Sequence, residues 1–204
     1  KSSRFINRPL CFKKKMKLII GLTGYSCAGK STFYEYVSEV YSIPRITTGD
    51  LVRKEVKKRG LELTTANILE ISDVIRRETR NNFMMIAENE IAELSERCNV
   101  FIIDSLREEK DYDTLRLFSR AIETVAVISA SKVRYERVSE RKRKGDPLSW
   151  DEFLVLEQKE KLLGVEQLVK SAGHVIKNED NIEEFRRKSL RIMEELVDKY
   201  LLSV

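Results

Sequence analysis

Short apolar runs alternate with longer stretches of helical spacing along this chain. Four runs are typical of buried strands (18–22, 100–103, 124–128 and 174–176), and a shorter run covers residues 43–46. Strands that alternate with helices indicate a parallel sheet covered on both faces. The pattern therefore predicts an α/β fold with a doubly wound, five-stranded parallel sheet.

Three stretches have helical spacing and no strand pattern. Residues 49–97 are predicted to form two or three helices, inserted before the strand at 100–103. Thr64 or Thr65 is expected to cap one of them, and Asn81 or Asn82 another. Residues 131–163 are predicted to be helical with a break at Gly145-Asp146-Pro147. Residues 181–202 are predicted as a last amphipathic helix whose apolar face holds Ile182, Phe185, Leu190, Met193, Leu196, Val197 and Leu201.

The basic charge of the chain is concentrated at its start. The 204 residues carry a net charge of +5, but residues 1–15 hold six basic groups and no acidic ones. Without those six, 32 basic residues face 33 acidic ones. The sequence therefore predicts a basic tail over 1–15 and one nearly neutral domain over 16–204. The tail fits an inert extension, a targeting segment or a nucleic-acid arm, and no other part indicates nucleic-acid binding.

Cysteine usage and hydropathy bear on the compartment. The three cysteines, Cys11, Cys27 and Cys98, have no metal-binding or redox spacing, which favours a reducing compartment. No apolar run reaches the length of a membrane span. We expect a soluble cytoplasmic protein with no membrane partner.

Residues 24–31 form a complete G-x-x-x-x-G-K-S phosphate-binding loop between the first strand and a helix. Its backbone N–H groups and the helix N-terminus suit an anion. Lys30 is expected to reach the β- and γ-phosphates of ATP, and Ser31 to hold Mg²⁺. The loop predicts a P-loop NTPase fold, the alternative being a glycine turn without a ligand. The predicted nucleotide-binding residues here are Gly24, Ser26, Cys27, Ala28, Gly29, Lys30, Ser31 and Thr32.

Three more groups of residues extend the predicted site. Asp104 ends the strand at 100–103, where open α/β sheets place ligands, and is expected to hold Mg²⁺, to cap the next helix, or both. The segment 47–53, followed along the chain by Arg107, has the hydroxyl, carboxylate and arginine side chains that a phosphorylated second substrate requires. Arg137 and Arg141 lie on one face of a predicted short helical lid over 131–163, and are expected to close over the reacting phosphoryl group.

These motifs resemble the nucleoside-monophosphate kinases. Residues 47–53 resemble S-T-G-D-x-x-R of adenylate kinases, which implies that Thr48, Gly49 and Arg53 bind AMP. Residues 104–107 resemble D-G-x-P-R, which implies that Arg107 grips the AMP phosphate, although Ser105 and Leu106 replace glycine and proline. Residues 136–141 resemble the lid-flanking E-R-x-x-x-R. This implies that Arg137 packs on the adenine of ATP and that Arg141 contacts phosphate.

The second half of the chain is similar to dephospho-coenzyme A kinases. The arginine pair, Gln158 and the segment 172–178 follow their R…R…Q…A-D-x-V-I-x-N order, which places Asn178 at the nucleotide. Asp50 matches their general base. The span 17–202 as a whole resembles an archaeal adenylate-kinase-related or dephospho-CoA-kinase-related family. Leu156 replaces a common lid arginine and Gly173 an aspartate.

Three functions follow as expectations. The first is a Mg²⁺-dependent transfer of phosphate from ATP to a nucleoside monophosphate such as AMP, with Lys30, Arg137 and Arg141 stabilising the transferred group. The second is phosphorylation of a hydroxyl, above all of dephospho-coenzyme A, with Asp50 as the base. The third is a regulatory module that binds ATP or AMP with little turnover, which the loss of a lid arginine at Leu156 favours.

Overall fold

The computed structural model describes residues 18–141, 146–179 and 181–202. Five parallel strands form one sheet in the order β2-β3-β1-β4-β5. Within the described residues the strands are β1 (Leu18–Thr23), β2 (Arg45–Thr47), β3 (Val100–Asp104), β4 (Ala121–Ile128) and β5 (His174–Lys177). The predicted five-stranded parallel sheet is therefore confirmed. In the register, Leu22 pairs with Asp104 on one side and with Val125 on the other, so the segment after β1 leaves from the centre of the sheet.

Nine α-helices cover the two faces of the sheet in the described part of the chain. They are α1 (Lys30–Tyr41), α2 (Thr48–Lys58), α3 (Thr65–Glu78), α4 (Glu88–Arg97), α5 (Asp111–Phe118), α6 (Ser131–Arg141), α7 (Trp150–Leu162), α8 (Val165–Ser171) and α9 (Ile182–Val197). A 3₁₀ helix, Phe83–Ala87, precedes α4, and a π-helical turn, Asp198–Leu202, follows α9.

Alternate residues of β1 point into two separate cores, because successive side chains of a strand face opposite sides of the sheet. On one face, Leu18 and Ile20 pack with buried residues of α1 and α9 such as Phe33 and Phe185. On the other face, Ile19 packs with buried residues of α2 to α5 and α8. The sheet is thus doubly wound, as the sequence predicted.

Side-chain caps explain where α2 and α3 begin. Thr47 accepts a hydrogen bond from the Asp50 N–H at the start of α2, and Thr64 accepts one from Asn67 at the start of α3. The prediction of Thr64 as a cap is confirmed. Asn82 precedes the 3₁₀ helix without capping it, because its side-chain oxygen accepts from Thr114 Oγ1 at 3.1 Å.

The predicted last helix is shorter and less regular than expected. α9 ends at Val197, and the chain continues as the π-helical turn. Phe185, Met193 and Leu196 are buried as predicted, whereas Ile182 is 60% exposed. Ile182 is the first residue of α9, and the buried face of the helix begins only at Phe185.

Two predictions fall on residues outside the described part of the chain: the basic tail over 1–15, and the break in the predicted lid at residue 145. Across residues 18–141, 146–179 and 181–202, no helix is both long and apolar enough to cross a bilayer.

Candidate functional site

The loop between β1 and α1 is shaped by two glycines with backbone angles that other residues rarely adopt. Gly24 has φ 127°, and a Cβ there would lie 2.1 Å from the Val127 carbonyl oxygen. Gly29 has φ 110°, and a Cβ there would lie 2.1 Å from Asn178 Nδ2. Any larger residue would be strained and would displace these neighbours. The two glycines therefore keep the loop backbone tight against the end of β4 and against Asn178.

Lys30 folds back over the loop. Its Nζ donates to the carbonyl oxygens of Gly24, at 2.6 Å, and Tyr25, at 3.0 Å. Burial lowers the pKa of this amine, and the nearby carboxylates of Asp104 and Glu160 oppose that change. The hydrogen-bond acceptors of this amine at the loop are thus two neutral carbonyl oxygens. An anionic phosphate could replace them as the partner of the amine.

A cleft of about 450 Å³ opens beside this loop, a size in the range of small-molecule sites. Ten of the predicted site residues line it: Ser26, Cys27, Gly29, Lys30, Ser31, Thr32, Arg107, Arg137, Arg141 and Asn178. Two further predicted loop residues, Gly24 and Ala28, are buried and do not line the cleft. We call this space the donor cleft.

The side chains of Arg137 and Asn178 form hydrogen bonds with the backbone of the loop. The Asn178 amide donates to the Ala28 carbonyl at 2.8 Å, and Arg137 Nη2 donates to the Asn178 carbonyl at 2.8 Å. Arg137 Nη1 also lies 3.3 Å from the Cys27 carbonyl oxygen. Both side chains that were predicted from the second half of the chain therefore contact the backbone of the loop.

Arg141 stands one helical turn further along α6. Its Nε donates to Asp146 Oδ2 at 3.0 Å, and this hydrogen bond raises the pKa of the guanidinium. Arg134 lies on the same face of the helix, but it is 3% exposed and forms an ion pair with Glu157. Arg137 and Arg141 are the members of this row that line the donor cleft.

The two predicted magnesium ligands differ in their surroundings. Ser31 lines the donor cleft and is exposed. Asp104 is buried; its Oδ1 accepts from Ser105 Oγ at 3.0 Å, and its Oδ2 lies 3.3 Å from Arg45 Nη1. A hydroxyl and a carboxylate are hard oxygen donors, so these residues fit Mg²⁺. The described residues hold no cluster of three or more His, Cys, Asp or Glu suited to a metal, so phosphate and water would have to supply the other ligands.

A second cleft of about 200 Å³ lies between α2, α3 and the segment after β3, and we call it the acceptor cleft. Its walls are Thr48, Gly49, Val52, Arg53, Ile68, Leu69, Ser72, Arg76, Phe83, Ser105, Arg107, Glu108 and Asp111. Thr48, Gly49, Arg53 and Arg107 were predicted to meet at a second substrate, and they do share this one cleft.

Asp50 is placed differently from its predicted neighbours. It is not a wall residue of either cleft, and its side chain is 61% exposed. Its carboxylate accepts from Thr47 Oγ1 at 2.7 Å and from Arg53 Nη1 at 2.8 Å. Asp50 therefore orients Arg53 at the rim of the acceptor cleft, and its role as a general base stays a prediction.

The acceptor cleft also contains charged residues that the sequence did not single out. Arg76 Nε lies 3.3 Å from Glu108 Oε1, and neither atom has a hydrogen-bond partner within the described part of the chain. Burial and the charge of Arg107 lower the pKa of Arg76, while burial and Asp111 raise that of Glu108. Burial also raises the pKa of Asp111 to about 6. Arg76 was missed because it resembles the solvated arginine beside it in α3.

The donor and acceptor clefts meet at the segment that follows β3. Ser105 and Arg107 line both of them. Ser105 has φ 72°, a left-handed conformation that suits the glycine of the related D-G-x-P-R motif. The Leu106 N–H donates to the Leu22 carbonyl at 2.9 Å, a bond that the proline of that motif could not form. Arg107 therefore still lies at the junction of the two clefts, although Ser105 and Leu106 depart from the motif.

Glu160 of α7 is a second residue that the sequence did not reveal. It is 2% exposed, and it accepts hydrogen bonds from the Ser26 N–H at 2.8 Å and the Ser26 hydroxyl at 2.6 Å. Its Oε1 also lies 3.2 Å from Arg107 Nη2. On the same helix, Leu156 is half-buried and Gln158 is exposed, and neither lines a cleft.

Comparisons with known proteins agree with this architecture. The family model of the AAA domain matches residues 23–154. A UPF0200 protein of Thermococcus onnurineus is 34% identical over 187 residues, which are 90% of this chain and 98% of that protein. The crystal structure of TT1252 from Thermus thermophilus has a TM-score of 0.65 at 19% identity, covering 89% of this chain and 98% of that one.

A dephospho-CoA kinase from Campylobacter jejuni has a TM-score of 0.54 at 16% identity, covering 90% of this chain and 99% of that one. At such identities the likeness shows the fold, which is that of the P-loop kinases. The predicted membership of an archaeal P-loop kinase family is confirmed by the extent of the sequence match. The chain belongs to the AAA-domain P-loop proteins and, among them, to the UPF0200 family.

Proposed function

We propose that this chain transfers a phosphoryl group from ATP to a phosphorylated acceptor, of which a nucleoside monophosphate such as AMP is the leading example. The observation that supports this most is the shared wall of the two clefts. Ser105 and Arg107 belong both to the cleft of the phosphate loop and to the arginine-lined cleft beside it. Two phosphates bound in these clefts would approach each other at one cation, as in-line transfer requires.

The donor side is built to hold a triphosphate. The amides of the loop and Lys30 bind the β- and γ-phosphates, and Arg137 holds the loop in shape through the Cys27 carbonyl. Ser31 and Asp104 would hold Mg²⁺, which neutralises charge between the phosphates when bound. Arg141 lies at the same cleft and adds positive charge near the transferred group.

The acceptor side requires little chemistry of its own. Arg53 and Arg107 bind the acceptor phosphate, and Thr48 orients it. A phosphate acceptor already carries an ionised oxygen, so no strong base is needed. The half-buried Leu156 supplies no cation here, and this absence of a lid arginine is expected to make turnover slow.

A coupled assay of ADP release across nucleoside monophosphates and dephospho-coenzyme A, with ATP and Mg²⁺, tests the proposal. We expect turnover with at least one monophosphate and none with Lys30→Ala, which removes the amine at the loop. Tight ATP binding by the wild type without turnover on any acceptor would favour the nucleotide-binding module instead.

Phosphorylation of a hydroxyl is the second candidate, and a carboxylate in the acceptor cleft favours it. Glu108 lines this cleft, and burial raises its pKa, which strengthens the carboxylate as a proton acceptor. If the acceptor is a hydroxyl, Glu108→Gln or Asp50→Asn should abolish turnover, depending on which is the base. If the acceptor is a monophosphate, both variants should retain some activity, because no proton has to be removed.

A further inference from the structure

Glu160 connects three parts of the site through one buried carboxylate. It lies in α7, and it accepts two hydrogen bonds from Ser26 in the phosphate loop. Its third contact is the Arg107 guanidinium at 3.2 Å. A carboxylate that is 2% exposed is unfavourable unless its oxygens are paired, so these three contacts determine one position for it.

Arg107 lies near two other cations, Lys30 at the loop and Arg76 in the acceptor cleft. Burial lowers the pKa of both groups, and the positive charge of Arg107 lowers it further. Glu160 is the acidic side chain that forms an ion pair with Arg107 in the described residues. Repulsion from Lys30 and Arg76 would move an unpaired Arg107 side chain out toward solvent, since 31% of it is already exposed.

The end of α7 also contacts the backbone of Arg107. Gly164, which follows α7, has φ 101°, and a Cβ there would lie 3.2 Å from the Arg107 carbonyl oxygen. α7 and the residues that follow it therefore contact Arg107 in two ways: the main chain of Arg107 lies close to Gly164, and its side chain pairs with Glu160.

We propose that Glu160 is a positioning residue that holds Arg107 at the junction of the two clefts and links it to the phosphate loop through Ser26. The inference rests on the proposed function, because Arg107 is the cation that binds the acceptor phosphate. Glu160 itself lines neither cleft and is not expected to touch a substrate.

Glu160→Gln separates the contact with Ser26 from the contact with Arg107. The amide oxygen can still accept from the Ser26 N–H, and the amide nitrogen can donate to the Ser26 hydroxyl, but the charge that holds Arg107 is lost. We expect the KM for AMP to rise about tenfold while the KM for ATP does not rise. If Glu160 only screened positive charge, its neutralisation would lower the KM for AMP, and that result would overturn the proposal.

A double-mutant cycle tests whether the effect passes through Arg107. Arg107→Gln should raise the KM for AMP by itself, and Glu160→Gln should add less than about twofold in that background. A full additional effect would mean that Glu160 acts independently of Arg107. Glu195→Gln is the matched control, because Glu195 forms an exposed ion pair with Arg191 on α9, away from both clefts.

A measurement without substrates separates this inference from the proposed function. In the ligand-free protein, the Arg107 guanidinium N–H signals should be protected in ¹⁵N NMR spectra and lose this protection in Glu160→Gln. Protection with no AMP turnover in the wild type would refute the proposed function alone. Unprotected Arg107 signals in the wild type would refute the positioning role. If Glu160→Gln does not fold, Glu160→Asp, which keeps the charge but shortens its reach, should show the same loss.

Discussion

Arg45 directs its guanidinium at Asp104, with Nη1 3.3 Å from Oδ2, while the same guanidinium lies 3.9 Å from the centre of the Tyr34 ring. The carboxylate predicted to hold Mg²⁺ therefore already faces a cation. Both groups are largely shielded from water, with side-chain exposures of 26% and 6%. A bound Mg²⁺ would share Asp104 with Arg45, and the two positive charges would repel each other.

Arg45→Gln is expected to lower the Mg²⁺ concentration needed for half-maximal ATP binding, by about threefold to tenfold, because a like charge is removed. A magnesium titration monitored with a fluorescent ATP analogue would measure this. Arg59→Gln is the control, since Arg59 pairs with Glu55 of α2 and Glu78 of α3 and not with Asp104. An unchanged or higher requirement in Arg45→Gln would argue against Asp104 as a magnesium ligand.

Gly29→Ala is expected to reduce ATP affinity by at least about tenfold. The added Cβ meets Asn178 Nδ2 at 2.1 Å, and displacing Asn178 releases its hydrogen bond to the Ala28 carbonyl. Calorimetric titration with ATP would show the loss.

Gly60→Ala provides the comparison for Gly29→Ala. Gly60 also has a positive φ, of 71°, but no atom lies within 4 Å of its added Cβ. It should cost about 1 kcal/mol of stability through backbone strain and leave ATP affinity unchanged. Equal ATP affinities in the two variants would show that the contact with Asn178 does not shape the loop.

Arg53→Ala is expected to raise the KM for the acceptor by about 10-fold to 100-fold, because a charge-assisted hydrogen bond to phosphate contributes about 1.5–3 kcal/mol. The KM for ATP should not change. Lys57→Ala, an exposed substitution later in α2, controls for loss of charge. If Arg53→Ala leaves the acceptor KM as it was, the acceptor assignment is wrong.

Asp111 predicts a pH dependence of stability. Burial raises its pKa to about 6, against 3.8 for the free side chain, even though backbone N–H groups of residues such as Met84 favour the ionised form. The folded state therefore binds this proton more tightly than the unfolded state. The resulting stability, up to about 3 kcal/mol, is fully present below pH 3.8 and lost as the pH rises through about 6.

Chemical denaturation at several pH values between 4 and 7 would detect the loss. As the pH rises, the free energy of unfolding of the wild type should fall relative to that of Asp111→Asn. A difference that is constant over this range would place the pKa of Asp111 near that of a free carboxyl group.

Local patterns predicted much of the fold and part of the site. The apolar runs indicated all five strands. β1 and β3 are apolar over most of their length because both are buried on both faces, whereas β2 and β5 were indicated by shorter runs in which only Ile46 and Ile176 are buried. The loop at 24–31 and the segment at 47–53 are each one unbroken stretch of sequence, so the spacing of residues within each stretch alone indicated phosphate-binding chemistry. Thr64 was one of two adjacent threonines predicted as a cap, and its partner, Asn67, is only three residues away.

Contacts between distant parts of the chain could not be predicted in this way. Ser26 and Glu160 are 134 residues apart, and Glu160 is one acidic residue among several in α7. Arg76 resembles an ordinary surface arginine until the sheet brings Glu108 beside it. The exposed position of Asp50 likewise follows from how α2 packs, with Leu51 and Val52 turned into the core.

The glycines of the phosphate loop have a broader consequence for how such a protein can change. Gly24 lies against the main chain of β4. A side chain at this position would clash with that main chain, and no substitution elsewhere in the sequence would relieve the clash. The acceptor cleft, in contrast, is walled in part by side chains of α3 that lie outside the buried core, such as Leu69 and Ser72. Exchanging these side chains leaves the sheet intact. Under the proposed function, such exchanges would alter the acceptor without altering the phosphate loop, which makes the helical wall the natural target for redesigning selectivity.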